Sequence, residues 1–204
     1  MSDGFGKYEV YTVFQSKYCY RDSSVLINRF GIRDPKQLKA LEADITSIRQ
    51  SEMLTDPVVG RFTSHQLCTI HRRLFGDIYP FAGHFRREDI RKGETRFLAY
   101  GEIPEKLKSL LTQLRAENYL SDLEKTELAE KSAYYLAELN YIHPFREGNG
   151  RTIREFMRLL YRKNRFSVFW DAVPAEQLLQ AMELSVYDRA RLTLMILQCI
   201  SPIV

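Results

Sequence analysis

The sequence predicts a single, mainly helical domain: an all-α fold of about seven helices with one small β-hairpin attached. Three observations carry this reading. Apolar residues recur at helical spacing through most of the chain. Helix-capping signals punctuate those segments. One central stretch, residues 84–98, drops the helical period around Gly93. With 204 residues, 45% of them hydrophobic, the chain can bury one sizeable core, and residues 1–204 read as one domain.

The elements follow in order. Residues 1–30 are irregular and rich in Tyr and Phe. Asp34 and Pro35 form an N-cap followed by proline at the first helical position, opening a helix that runs to Met53. Thr63 and Gln66 have capping-box spacing and open a helix to Phe75. HFRREDIRKGETRFL, residues 84–98, reads as short strands about a turn. Pro104 opens the next helix, with Leu107, Leu110, Leu111 and Leu114 on one face. Ser121 and Glu124 precede a helix to Ile142 with Leu128, Tyr135, Leu139 and Ile142 inward. Residues 150–163 form another helix, and 174–186 and 188–200 fit two more. The last segment, LTLMILQCI, is too short for the roughly 20 residues of a membrane span and is expected in the core. Trp170 reads as a packing residue.

Composition excludes several classes. Charged residues make up 27%, with 10 Gly and 7 Pro, so the chain is neither collagen-like nor disordered. Cys19, Cys68 and Cys199 are scattered and odd in number. With His65, His71, His84 and His143 they form no zinc-type spacing, and a disulfide framework is not expected. MSDGFGKYEV lacks the basic start and apolar core of a secretory signal, so the cytoplasm is the expected compartment, without membrane attachment. The net charge of +4 is local. Residues 151–165 hold six basic residues and one acidic, which leaves the remainder near neutral. A bound anion is the simplest reading.

Residues 143–154, HPFREGNGRTIR, are the most informative. Pro144 disfavours helical backbone at His143, so the preceding helix ends there. Gly148 and Gly150 flank Asn149 and permit a tight or left-handed turn that gathers N–H groups into an anion nest. A helix starts directly afterwards and adds its own N-terminal donors. At 100° per residue its apolar side carries Ile153, Phe156, Met157 and Leu160, and its other side carries Arg151, Arg154 and Arg158. Guanidinium forks suit phosphate oxygens. Glu147 offers a hard oxygen for magnesium, His143 is the loop's candidate general base, and Phe145 is the expected apolar anchor. Together these groups describe a site for a magnesium-bound nucleotide polyphosphate beside a base.

The same twelve residues match the Fic-domain signature HxFx(D/E)GNGRxxR at each specified position, and the chain is identified as resembling that family. LINRFGIRDPKQL (26–38) resembles the family's N-terminal segment. HRRLFGDIYPFAGHFR (71–86) resembles the segment before the hairpin, with Phe81 where Trp is expected. Residues 90–97 resemble the flap beside the active site. The resemblance implies AMP transfer from Mg-ATP to a hydroxyl of a target protein, with release of pyrophosphate. It implies His143 as base and Glu147 as Mg2+ ligand. Gly148, Asn149 and Gly150 line the anion hole, while Arg151 and Arg154 hold phosphates. The flap (Ile90, Arg91, Lys92, Gly93, Glu94, Thr95, Arg96 and Phe97) docks the target as an added strand.

Gly150 argues against the Doc-type kinases, which carry Lys there. Phosphocholine transfer is an alternative that the motif leaves open. The sequence lacks the family's inhibitory pattern (S/T)xxxE(G/N); Ser23 to Asn28 comes nearest, without the glutamate. This resembles FicT toxins, whose inhibitory glutamate comes in trans from a small antitoxin, and whose targets are DNA gyrase and topoisomerase IV. Two further alternatives are a basic nucleic-acid-binding module, disfavoured by the locality of the charge, and a catalytically silent antitoxin-binding protein. His71 is expected to make a structural hydrogen bond beneath the loop.

Overall fold

The computed structural model describes residues 9–10, 15–93, 95–185 and 187–203. Glu94 of the expected flap, Val186 of the sixth expected helix, and most of residues 1–14 lie outside these. Seven α-helices are present among the described residues: α1 (Pro35–Thr55), α2 (Ser64–Phe75), α3 (Ile103–Ala116), α4 (Lys125–Ile142), α5 (Asn149–Lys163), α6 (Ala175–Leu184) and α7 (Ala190–Cys199). The short strands are β1 (Glu9–Val10), β2 (Ile90–Lys92), β3 (Thr95–Arg96), β4 (Phe166–Val168) and β5 (Ile200–Pro202).

The N-terminal signals act locally. Asp34 caps α1 by accepting the Gln37 N–H at 2.8 Å. Thr63 caps α2 by accepting the Gln66 N–H at 3.4 Å, but the return half of the capping box is displaced. The Gln66 carboxamide takes the Phe62 N–H at 2.7 Å and donates to the Val58 carbonyl at 2.9 Å, stapling the loop that enters α2. Ser121 and Glu124 precede α4 without capping it through a side chain: Ser121 closes a 3-10 turn over Asn118–Leu120, and α4 starts at Lys125. That turn is left-handed at Asn118, Tyr119 and Leu120, of which only Asn118 is a residue type that favours such backbone.

α4 sits at the centre. Leu128, Ala129, Ala133, Tyr135, Leu136, Leu139 and Ile142 are all buried, too many for a single stripe, because α3, α5 and α7 pack around it. α5 has the sharper division, with Ile153, Phe156, Met157 and Leu160 fully buried. α7 ends at Cys199, where the chain turns extended. Val168 pairs with Ile200 and Phe166 with Pro202, a strand pair the unbroken apolar run concealed. Trp170 packs at the core's margin, 6.2 Å from the Tyr161 ring.

The hairpin is smaller than expected. Arg91 pairs with Arg96 and Lys92 with Thr95, while residues 84–89 are irregular. Ladder pairing is lost there because Arg86 and Glu88 are buried and spend their hydrogen bonds elsewhere: the Arg86 N–H goes to the Pro144 carbonyl at 2.8 Å. β1 joins the far edge of β2, with Glu9 opposite Arg91, so the N-terminal region is not wholly irregular. The sheet order β1-β2-β3 leaves β3 at the edge.

Candidate active site

The loop between α4 and α5 carries the chemistry. His143 closes α4 in left-handed geometry, φ 46°, immediately before Pro144. Its Nδ1 lies 3.0 Å from the Asn140 carbonyl. A carbonyl only accepts, so the proton sits on Nδ1 and the lone pair on Nε2. The Phe97 ring of the flap stacks on the imidazole at 3.8 Å. Burial pushes the His143 pKa down to about 3, with the charges of Arg86 and Lys92 acting in the same direction. The ring is therefore neutral, as a base must be.

Phe145 is fully buried, stacked 3.9 Å from His71. Asn149 is buried too, but its side chain turns inward: Oδ1 accepts the Phe145 N–H and Nδ2 donates to the Phe145 carbonyl, both at 2.8 Å. It closes the loop. The glycines differ from each other. Gly148 has φ +78°, and a Cβ there would lie 2.2 Å from Phe75. Gly150 is helical, so left-handed freedom does not explain it; a Cβ would only approach the end of Arg154, at 3.3 Å. The left-handed expectation thus holds for Gly148 alone.

Glu147 accepts the Gly148 N–H at 2.9 Å through one carboxylate oxygen, and its backbone carbonyl is held by His71 Nε2 at 2.9 Å. Burial raises its carboxyl pKa, and Glu42 raises it further.

The arginines of α5 divide. Arg151 turns to α1, where it pairs with Glu42, donates to Thr46 Oγ1 at 3.0 Å and lies over Phe75. Tyr79 donates to the other Glu42 oxygen. Arg158 also turns to α1, donating to the Met53 carbonyl at 2.9 Å and pairing with Glu155. Arg154 is different. Among the described residues no hydrogen bond or ion pair holds its guanidinium. It lines an open pocket with His143, Lys92, Thr95 and Phe97 of the flap, and Met182 and Glu183 of α6. Lys92 and Glu183 meet at 3.4 Å on one side of it. Ile90 is buried beneath the flap, and Gly93 takes the positive-φ turn position.

Sequence reasoning missed Glu42, Thr46 and Tyr79, and also Arg86, Glu88 and Glu183. Arg146, an unspecified position of the motif, pairs with Glu88 at 3.0 Å with both side chains buried. Ser16 donates to the same Glu88 oxygen at 2.6 Å. Nothing in the local pattern separates these partners from ordinary surface charges.

A model of the Fic/DOC family matches residues 61–161. The probable protein adenylyltransferase Fic of Salmonella typhimurium is 34% identical over 181 residues, which is 89% of this chain and 86% of that one. The chain belongs to the Fic/DOC family. Protein adenylyltransferase VbhT of Bartonella schoenbuchensis is 35% identical over 175 residues; the match spans 86% of this chain but 37% of VbhT. Among solved structures, the BepC protein of Bartonella tribocorum with bound AMPPNP superposes with a TM-score of 0.84 at 26% identity, covering 91% of this chain and 96% of that one. An N-terminal Fic domain of a Bartonella quintana Bep effector, with bound ADP, gives 0.85 at 27% identity over 91% of this chain and 94% of that one. No helix among the described residues is long and apolar enough to cross a membrane.

Proposed function

We propose that this Fic/DOC chain is a protein adenylyltransferase that moves AMP from ATP to a hydroxyl side chain of a target protein. One observation carries the reading: the neutral His143 and the guanidinium of Arg154, unpartnered among the described residues, line the same pocket at the N-terminus of α5. His143 Nε2 accepts the proton of the target hydroxyl. The hydroxyl oxygen forms a bond to the α-phosphorus as the bond from that phosphorus to the bridging oxygen breaks, and pyrophosphate leaves. Arg154 and the first N–H groups of α5 face the polyphosphate charge. Arg151, fixed on α1, supports the same end of the helix.

The family resemblance implies a hard divalent cation carried by the nucleotide. Among the described residues no three-residue metal cluster exists, but Glu147 presents a carboxylate with one oxygen engaged only by Gly148. Glu147 would hold Mg2+, which would supply charge neutralisation at the phosphates.

Arg151 and Arg158 pair with acids of their own fold, which supports the nucleotide reading over a nucleic-acid one. The exposed β3 edge is the docking strand for a target segment. We further infer a toxin role. The sequence lacks an inhibitory glutamate motif, and Glu42 pairs with Arg151 rather than Arg154. A small antitoxin supplying a glutamate to Arg154 in trans fits that arrangement, and type II topoisomerase subunits are the targets the FicT resemblance suggests.

The test uses magnesium and a bacterial lysate with ATP labelled at either the α- or the γ-phosphate. Protein labelled from the α-position alone, and lost on His143→Ala with ATP binding retained, is the expected result. Label from the γ-position would mean kinase chemistry. Undiminished turnover by His143→Ala would remove the base assignment.

A further inference from the structure

Arg86 is among the largest fully buried side chains of the protein, and it touches neither the pocket nor solvent. Its guanidinium donates to four backbone carbonyls drawn from two separate places. Two belong to the end of α4: His143, reached by Nε at 2.9 Å, and Ile142, reached by Nη2 at 3.3 Å. Two belong to the roots of the flap: Glu88, reached by Nη1 at 2.9 Å, and Leu98, reached by Nη2. The backbone adds to the same seam. The Arg86 N–H donates to the Pro144 carbonyl at 2.8 Å, and the Leu98 N–H donates to the Tyr141 carbonyl at 3.1 Å.

We propose that Arg86 is a positioning residue for AMP transfer, a clamp that registers both roots of the flap against the backbone that carries His143. The reasoning is geometric. A target strand laid on β3 is placed by the flap, whereas its hydroxyl must meet Nε2 of His143. The two are joined through the Arg86 seam and through Phe97 on the imidazole. His143 is also a non-glycine residue in left-handed backbone, which persists only where its surroundings over-determine it. Arg86 binds the carbonyl of that residue and the one before it, at the C-terminal end of α4 where carbonyls lack helical partners and a cation is favoured. A planar fork can reach both sides of the seam at once, while an ammonium at the same place acts from one point. ATP recognition has no such dependence, because the α5 N-terminus and Arg154 lie outside the seam.

This inference rests on His143 as the base. Its test therefore pairs Arg86→Lys and Arg86→Gln with His143→Ala as the reference for a lost base. Each folded variant is assayed for ATP binding by titration and for single-turnover transfer at saturating ATP. ATP affinity within about 3-fold of the parent, with transfer slowed about 100-fold, is expected, since small misplacements of reacting groups cost rate on that order. Transfer within about 3-fold of the parent in a folded Arg86 variant, where His143→Ala is inactive, overturns the clamp and leaves the base intact. Parallel loss of ATP affinity and transfer assigns Arg86 to general stability and also overturns it.

Hydrogen exchange on the parent protein provides a test that needs no variant. The amides of Arg86, Leu98 and His143 are expected to open as one unit with a shared protection. Exchange at Leu98 about 100-fold faster than at His143 would show the flap root to be uncoupled.

Discussion

The ring of His71 donates from Nε2 to the backbone carbonyl of Glu147 at 2.9 Å, while its Nδ1 accepts the Gly83 N–H at 2.8 Å. Both nitrogens are committed, one as donor and one as acceptor, so only the neutral tautomer fits. Burial accordingly pushes the His71 pKa down to about 3. His143 has the same depressed value for the same leading reason. An unfolded histidine titrates near 6.5. Below that pH the unfolded chain binds protons that the folded one refuses, so this stability is complete above about 6.5 and is lost as pH falls toward about 3. Glu147, raised by burial, works in the opposite sense and offsets part of the loss. Urea unfolding between pH 7.5 and 4.5 should show stability falling below pH 6.5, by at most about 1.4 kcal/mol per pH unit for each histidine. A flat profile would mean that these rings are not buried neutral.

Activity should show the same depression differently. The profile of kcat/KM against pH reports the ionisations of the free enzyme. A base at its ordinary value would give an acid limb near 6.5. With His143 at about 3, the transfer rate on subsaturating ATP should show no limb near pH 6.5 and remain level down to about pH 5. An acid limb near 6.5 would show the imidazole to be solvated in the working enzyme.

The glycines of the loop should respond unequally to alanine. Gly148→Ala adds a Cβ that would meet the Phe75 ring at 2.2 Å, in backbone with φ +78°. Gly150→Ala meets only the end of the Arg154 side chain, at 3.3 Å, in helical backbone that favours alanine. Gly148→Ala should cost about 2 kcal/mol or more, by strain together with overpacking, and should abolish transfer. Gly150→Ala should fold with near-parental stability, and its defect should appear in ATP affinity. Thermal melts and ATP titrations of the two proteins separate these effects. Equal melting temperatures would contradict the assigned backbone.

The loop was legible because its signals are local. Proline after His143 and glycine at 148 act on their own backbone, and the expected end of α4 and start of α5 lie within a residue of those found. Helices with caps or one-sided apolar spacing were legible for the same reason: α1, α2 and α3 begin at Asp34, Thr63 and the Pro104 turn. What stayed hidden depends on distant partners. Arg151 and Arg154 are alike in sequence, yet Glu42 and Thr46 capture the first and leave the second to the pocket. Arg86 reads as one more charge beside a hairpin, although two of its partners are backbone carbonyls 56 and 57 positions away. β4 and β5 hide because β5 follows directly on an apolar helix, and their pairing spans the whole C-terminal region.

The capture of Arg151 leads to a measurable coupling. Glu42 and Arg151 form an ion pair with the side chains only 13% and 19% exposed, and Glu42 also receives the Tyr79 hydroxyl. Removing either partner leaves the other in a poorly solvated place, and the lone Glu42 would stand beside Glu147 without its counter-charge. Glu42→Gln and Arg151→Gln should each lower stability by about 2 kcal/mol, and the double variant should lose less than the sum, with a coupling of about 1–3 kcal/mol. Urea unfolding of the four proteins gives the cycle. If Arg151 serves mainly to fix α5 on α1, Glu42→Gln should also weaken ATP binding, because the helix N-terminus that faces the phosphates loses its anchor. Strictly additive losses, with ATP affinity unchanged in Glu42→Gln, would show that the pair contributes nothing to the placement of α5.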